Sequence, residues 1–253
     1  MKVEIAGEGE PDHAVVACLH GNELCGKHAV EEVMENEEFL GPVKFIIANE
    51  EALEKGERFV DEDLNRAFPG TDESVFHEQE LAARMMDEIE GMKVLDLHST
   101  LSHPEPFAIV TRYDDSTIPL VEATGVEKVV DMSYESGGMI DHVQGISVEC
   151  GLKGSEDAKE NAVEILRRFL AAEDLIEGDV EESGHDLFVV YDEVEGEGYE
   201  FVAENFAEVA EGEVFARKDG EELRAPESFY PVLMSTEEYE ERMGYMSKKK
   251  KHS

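Results

Sequence analysis

The chain has 253 residues, and its 62 Asp and Glu outnumber 22 Lys and Arg to give a formal net charge of −40. That length suits one large domain, or a main domain with a smaller appendage, and 41% hydrophobic residues can furnish a core. Nucleic acid and anionic membranes are excluded as partners, since so acidic a surface repels both and no apolar run approaches the roughly 18 residues of a membrane helix.

In chain order, Val3–Ile5 and Val15–Leu19 read as short strands, and Glu23–Met34 as a helix with Leu24, Ala29, Val30 and Val33 or Met34 on its apolar side. Val43–Ala48 is a strand ended by Asn49. Phe76–Ile89 has the helical spacing of Leu81, Met85 and Ile89, and Gly91 stops it. Strands are predicted at Lys93–His98, Phe107–Thr111, Val129–Asp131 and Ile146–Glu149. A further helix covers Ala158–Ala172, with Ala162, Ile165, Leu166 and Phe169 facing inward. Strands separated by helices predict an α/β fold, a sheet with helices on both faces.

From about Leu175 the texture changes. Leu187–Tyr191, Tyr199–Ala203, Glu213–Ala216 and Tyr230–Met234 are β-like strings between Gly-rich acidic turns such as Glu195–Gly198 and Asp219–Gly220. The prediction is a main domain over residues 1–174 and a small β-rich domain over 175–247. Lys248–Lys251 is the only basic run, and residues 248–253 are expected to form a disordered tail.

Two compositional features concern environment. The acids are spread along the whole chain, and their mutual repulsion is tolerable where salt shortens the screening length to about 3 Å, near 1 M. This reads as halophilic adaptation. Three cysteines (Cys18, Cys25, Cys150) make no disulfide framework, and Met1–Pro11 contains no apolar block, so no secretory signal and a cytoplasmic setting are expected.

The chemistry-bearing residues fall in four places. His20-Gly21-Asn22-Glu23 stands where a buried strand gives way to a helix, and a His and a Glu three apart there can share one ion. Asp96-Leu97-His98 ends another apolar strand, and strand C-termini are where ligands gather in open α/β sheets. Two His and one Glu form a catalytic-zinc pattern, although a single His after a strand is more often structural. Cys18 and Cys25 permit a rival structural-zinc reading, but they suit small apolar packing better. Arg58 and Asp63-Leu64-Asn65-Arg66 bring two arginines and an asparagine into an acidic chain. They are either ion-paired to Asp61, Glu62 and Asp63, or a clamp for a small anionic substrate. Val148-Glu149 ends a strand with a carboxylate that turns either to solvent or, if it shares the cleft, to general-base work.

These four motifs, in this order and at these spacings, resemble the succinylglutamate desuccinylase/aspartoacylase family of zinc carboxypeptidase-like hydrolases. The resemblance extends to Tyr230-Pro231-Val232 and Tyr239. It implies a carboxypeptidase-like mixed sheet flanked by helices, followed by a small β-rich domain that caps the active site. It also implies one Zn2+ per chain held by His20, Glu23 and His98, with Glu149 as base and later proton donor. Arg58 would polarise the scissile carbonyl, Asn65 and Arg66 would bind substrate carboxylate, and Tyr239 would reach into the pocket.

The expected activity is hydrolysis of the amide bond of a small anionic N-acyl amino acid or related carboxylate. Its rivals are a carboxypeptidase acting on short peptides and a catalytically silent zinc-binding protein. Whether the chain forms a homo-oligomer is open at this level. One departure bears on substrate: where the aspartoacylase branch is expected to carry an arginine ten residues before the catalytic glutamate, this chain has Met139. Ser133–Ser147 holds no Lys or Arg, and His142 is its one residue that could become cationic. Met139 is expected to offer the pocket an adaptable apolar surface, favouring a mono-carboxylate over N-acetylaspartate.

Overall fold

A computed structural model describes residues 1–135, 137–180, 184–196, 198–236 and 242–251. The first part alternates as the sequence predicts. It runs β1 (Lys2–Ala6), β2 (His13–Ala17), α1 (Cys25–Asn36), β3 (Val43–Ile47), α2 (Glu50–Lys55), α3 (His77–Ile89) and β4 (Lys93–Thr100). There follow β5 (Phe107–Val110), α4 (Ile118–Thr124), β6 (Lys128–Asp131), β7 (Gln144–Leu152) and α5 (Glu156–Ala172). The remainder is β8 (Asp186–Glu195), β9 (Glu200–Phe201), β10 (Val214–Lys218), β11 (Glu221–Arg224), β12 (Tyr230–Val232) and β13 (Arg242–Lys251).

Among the described residues, ten strands form one mixed sheet in the order β1-β3-β2-β4-β7-β5-β6-β8-β13-β12. β3, β2, β4 and β7 run parallel at its centre. Alternation along the strands divides the core between two faces. On β2, Val15 and Ala17 join the residues of α1, α4 and α5. Ala14 and Val16 point the other way, toward Leu81, Met85 and Ile89 of α3. α5 starts where Ser155 accepts the Ala158 N–H at 3.1 Å, with Glu156 and Asp157 favourably placed in its first turn. Ala158, Ala162, Ile165, Leu166 and Phe169 then pack inward at helical spacing.

The structure differs from the predicted organisation in two respects. The texture change near residue 175 is not a break in the sheet: β8 pairs in parallel with β6, and β13 and β12 extend the same sheet beyond it. Only β9, β10 and β11 form a separate three-stranded sheet. Lys248–Lys251, expected as a disordered tail, is the end of β13, in register from Lys248↔Val189 to Lys251↔Asp186. The reason is charge: Lys248 binds Glu227 at 2.7 Å and Lys249 binds Asp186 at 2.5 Å. Their ammonium groups also lie over the Tyr191 and Phe188 rings. The basic run lies where the acidic chain can use it.

The charge balance leads to a salt prediction. With 62 acids and 22 bases, most carboxylates have no cation to meet however the side chains are arranged. The unfolding midpoint should therefore rise steeply between dilute buffer and molar salt. A thermal melt series in KCl checks this, and a midpoint indifferent to salt would defeat the halophile reading.

Candidate active site

β2, β4 and β7 are neighbours, so their C-terminal ends open onto one edge of the sheet. His98 lies in β4 and pairs across to Glu149 in β7, while His20 comes three residues after β2. The sequence placed His20 and Glu23 at a helix start. In fact α1 begins at Cys25, and a turn in which the Glu23 N–H donates to the His20 carbonyl at 3.1 Å brings the two side chains together. A Cβ on Gly21 would sit 2.2 Å from the Ala52 carbonyl carbon, so only glycine lets this turn press against α2.

The three expected ligands converge. His20 Nδ1 is 2.9 Å from Glu23 Oε1, and His98 Nδ1 is 3.0 Å from Glu23 Oε2. All three residues are buried, with donor atoms within 4.8 Å of one another, and this is the single such group among the described residues. Each ring is held from behind by a carboxylate: His20 Nε2 faces Asp63 Oδ1 at 3.0 Å, and His98 Nε2 faces Asp96 Oδ2 at 2.7 Å. Ser147 donates to that same Asp96 oxygen at 2.9 Å.

The local electrostatics suit a cation. Burial pushes the Glu23 carboxyl up, but the charges of His20 and His98 and their hydrogen bonds outweigh it and hold the group well below its ordinary range. Burial lowers the affinity of His98 for a proton, yet Asp96 and Glu23 raise it well above an ordinary histidine. Burial likewise raises Asp63, whereas His20, Arg58 and Arg66 hold it well below. Three carboxylates thus surround two imidazoles, and Asp96 Oδ1 is buried without a hydrogen-bond partner. Two imidazoles and a carboxylate with an orienting partner on each ring fit Zn2+ by donor type and by outer support. The cysteines stay outside the set, as expected. Cys18 and Cys25 direct their sulfurs at the carbonyls of Glu23 (3.5 Å) and His98 (3.2 Å), and burial pushes the Cys18 thiol up to about 12.

Beside this group is a cleft of about 820 Å3, counting its open mouth. Arg58, Asn65, Arg66 and Glu149 line it together with the three ligands. Arg58 donates to Glu23 Oε1 at 3.2 Å and, through Nε and Nη2, to Asp63 Oδ2 at 3.1 Å each. Asn65 Oδ1 accepts the Met139 N–H at 3.1 Å, which leaves its amide NH2 as the group to offer a ligand. The rest of the lining includes Ile109, Met132, Ile140 and Leu233, with Glu135, Asp141 and Tyr245 among them.

One sequence expectation changes here, and two further residues gain a part that the sequence did not give them. Met139 does not face the cleft: it is fully buried in the core against the α3 side, and its neighbours Gly138, Ile140 and Asp141 line the wall instead. The cause is the 3-10 turn Met139–Asp141, which turns the apolar Met139 side chain inward. Tyr239 lies outside the described residues. Tyr245, which the sequence reading passed over, reaches the cleft from the same C-terminal segment. Its hydroxyl binds Glu135, which Arg242 also binds at 2.7 Å. A cation from outside residues 133–147 therefore stands beside this wall. Asp63 was visible in its motif, but only as an ion-pair neighbour of the arginines; its contact with His20 spans 43 residues and carries no local signal.

The fold and site define an α/β protein with a buried His-Glu-His group at the strand ends. Residues 10–172 match the family model of the succinylglutamate desuccinylase/aspartoacylase catalytic domain, and the chain belongs to this family. A probable aspartoacylase from Prochlorococcus marinus (strain AS9601) is 35% identical over 103 residues, 35% of this chain and 34% of that protein. A succinylglutamate desuccinylase from Idiomarina loihiensis is 28% identical over 156 residues, 51% of this chain and 46% of its own length. The chain thus spans about a third to a half of these curated relatives. Among solved structures, the product-bound ectoine utilization protein EutE (DoeB) from Ruegeria pomeroyi has a TM-score of 0.80 at 19% identity, covering 97% of this chain and 88% of that one. Murine aminoacylase 3 has a TM-score of 0.71 at 17% identity, covering 96% and 97%. Likeness at these identities speaks for the fold.

Proposed function

We propose that the chain is a zinc-dependent hydrolase that cleaves the amide bond of a small N-acylated amino acid or related carboxylate. The observation that carries this reading is the shared cleft: a His20-Glu23-His98 group, Glu149 in register with His98, and Arg58, Asn65 and Arg66 along the same walls. Family membership supports it, since relatives bear the names aspartoacylase and succinylglutamate desuccinylase.

His20, Glu23 and His98 would hold one Zn2+, which when bound supplies a Lewis acid that activates water and polarises a carbonyl. Asp63 and Asp96 hold the two rings by Nε2, which leaves Nδ1 of each, facing Glu23, as the atom that would bind the ion. Glu149 takes a proton from the attacking water and returns it to the departing nitrogen. Arg58, tethered by Glu23 and Asp63, donates to the carbonyl oxygen as it gains negative charge. Asn65 and Arg66 bind the substrate carboxylate, with Arg66 offering a planar fork. A silent zinc-binding protein would need neither Glu149 nor Arg58 in the cleft. Leu233 and Tyr245 wall in one side, which favours a small substrate over a long peptide.

Three free, buried cysteines support a reducing, cytoplasmic setting, and the excess of acid supports a salty one. No described helix is long and apolar enough to cross a membrane. The test of the function is a screen of zinc-loaded protein against N-acyl amino acids and short peptides in molar salt, reading free amine. Release from peptides alone would make it a carboxypeptidase.

Within the N-acyl class, a mono-carboxylate should be preferred. Arg58 and Arg66 are the Lys or Arg side chains on the described lining, and the same lining includes Glu135 and Asp141. A second anionic end would meet carboxylates there at a desolvation cost. N-acetyl-leucine or N-acetyl-methionine should exceed N-acetylaspartate in kcat/KM by about tenfold or more, equivalent to roughly 1.4 kcal/mol. A preference for the aspartate derivative would mean that Arg242 exchanges Glu135 for the substrate.

A further inference from the structure

We propose that Glu78 is a positioning residue for this site, its carboxylate shaping the 58–63 loop so that Arg58 and Asp63 meet Glu23 and His20. The proposal rests on the functional reading above. Residues 56–63 include no fully buried side chain, so apolar packing does not fix their path. Polar ties must do so.

Glu78 supplies three of them. It stands in the first turn of α3, fully buried, and accepts the consecutive N–H groups of Val60, Asp61 and Glu62 at 2.7, 3.0 and 3.2 Å. Successive backbone N–H groups form an anion-binding concavity, and here a side chain of the protein fills it. Asn49, which caps α2 through its Oδ1, donates its Nδ2 to Glu78 at 3.0 Å and ties the loop to the element against which Gly21 packs. Burial pushes the Glu78 carboxyl up, but the N–H groups of Val60 and Asp61, with Asn49 and Glu62, hold it below its ordinary value. A negative charge at a helix start needs neither burial nor these bonds to favour the helix, and Glu80 in the same turn already provides one.

The loop delivers its side chains from both ends of the segment Glu78 holds. Upstream, the Arg58 carbonyl accepts the Gly21 N–H at 3.1 Å and its guanidinium reaches Glu23 at 3.2 Å. Downstream, Asp63 orients His20 at 3.0 Å and accepts the Asn65 N–H at 2.9 Å. Glu78 touches neither the ligands nor the cleft, so it acts through Arg58 and Asp63.

The variant to make is Glu78→Gln, which keeps the shape and turns an NH2 donor toward N–H groups. Hydrogen exchange of the 59–63 amides should speed up by tenfold or more. Apo-protein titrated with zinc alone should bind on the order of tenfold more weakly, because the carboxylate behind His20 loses its anchor. kcat should fall by about tenfold or more, and in an Arg58→Ala background the same change should add less than threefold. Unaltered exchange at residues 60–62, or an effect on kcat that multiplies in full with that of Arg58→Ala, would overturn the proposal, since a general loss of stability would act independently. If Glu78→Gln does not fold, Glu78→Asp, which keeps the charge but shortens the reach, undergoes the same measurements. Exchange and zinc titration need no substrate. A wild-type protein that binds zinc but hydrolyses no N-acyl amino acid would refute the functional reading, while those two readouts still decide the role of Glu78.

Discussion

Replacing His98 with alanine is expected to remove both stoichiometric zinc and measurable turnover. His98 is one of the three converging residues that would hold the ion, and two protein ligands hold zinc poorly. Loss of an outer partner already weakens metal binding by roughly 10–100-fold, and loss of a ligand should exceed that. The same change leaves Asp96 and Glu23 buried without the imidazole that lies 2.7 and 3.0 Å from them. Stranding buried carboxylates in this way costs about 3–5 kcal/mol, so the variant must first be shown to melt above the assay temperature. Elemental analysis of the folded variant is the decisive measurement, and full zinc occupancy would refute the ligand assignment. Asp96→Asn is a useful companion. It keeps His98 and alters the bonds behind it, to the imidazole and to Ser147, so it should weaken zinc binding by a smaller factor than His98→Ala.

The positions of His20, Glu23 and His98 at the strand ends were legible because strand patterns and motif spacing are local properties. Lys93–His98 reads as an apolar strand ending in a histidine, and the structure extends it only to Thr100. The way His20 and Glu23 meet was less legible, since it depends on a turn stabilised by Arg58 and on the packing of Gly21 against Ala52. The orienting role of Asp63 and the nest filled by Glu78 are contacts across 43 and 16 to 18 residues. No periodicity within a window of ten or fifteen residues encodes such contacts. Met139 shows the converse failure: a position inferred from a family pattern was assigned to the cleft, whereas the local 3-10 turn directs the side chain to the core.

In the fold, the C-terminal part was legible as strands but not as a continuation of the main sheet. β6 and β8 are joined through β7 and α5, and nothing in the composition of Leu187–Tyr191 says which edge it will find. β13 was hidden by its own sequence. Its four lysines look like a solvated tail, and bulges between Arg242 and Gly244 and between Met246 and Ser247 break the alternation that marks a strand. α2 escaped notice for a related reason: it buries only Ala52, so its six residues carry no apolar stripe, and it is set by the Asn49 cap and the left-handed Gly56.

The second large effect expected is on Glu149. Glu149→Gln retains the size but cannot take up a proton, so turnover should fall on the order of 10²–10⁴-fold while zinc remains bound. The choice of Glu149 follows from its position beside the His-Glu-His group, and the other carboxylates at the cleft have structural tasks of their own. Glu23 belongs to the group that would hold the metal and lies between His20 and His98. Asp63 is committed to His20, Arg58 and the Asn65 N–H. Glu135 is held by Arg242 and Tyr245, and Asp141 accepts the Gly137 and Gly138 N–H groups that shape the neighbouring turn. Glu149 lines the cleft from β7, directly across from His98 in the next strand. The strand pairing holds it beside the metal set without making it a member. The variant therefore separates two functions that His98→Ala removes together: zinc content should match the wild type while kcat collapses. Activity within a few-fold of wild type would show that another group moves the proton. Glu135, the remaining lining carboxylate whose partners are side chains alone, would then be the next residue to replace.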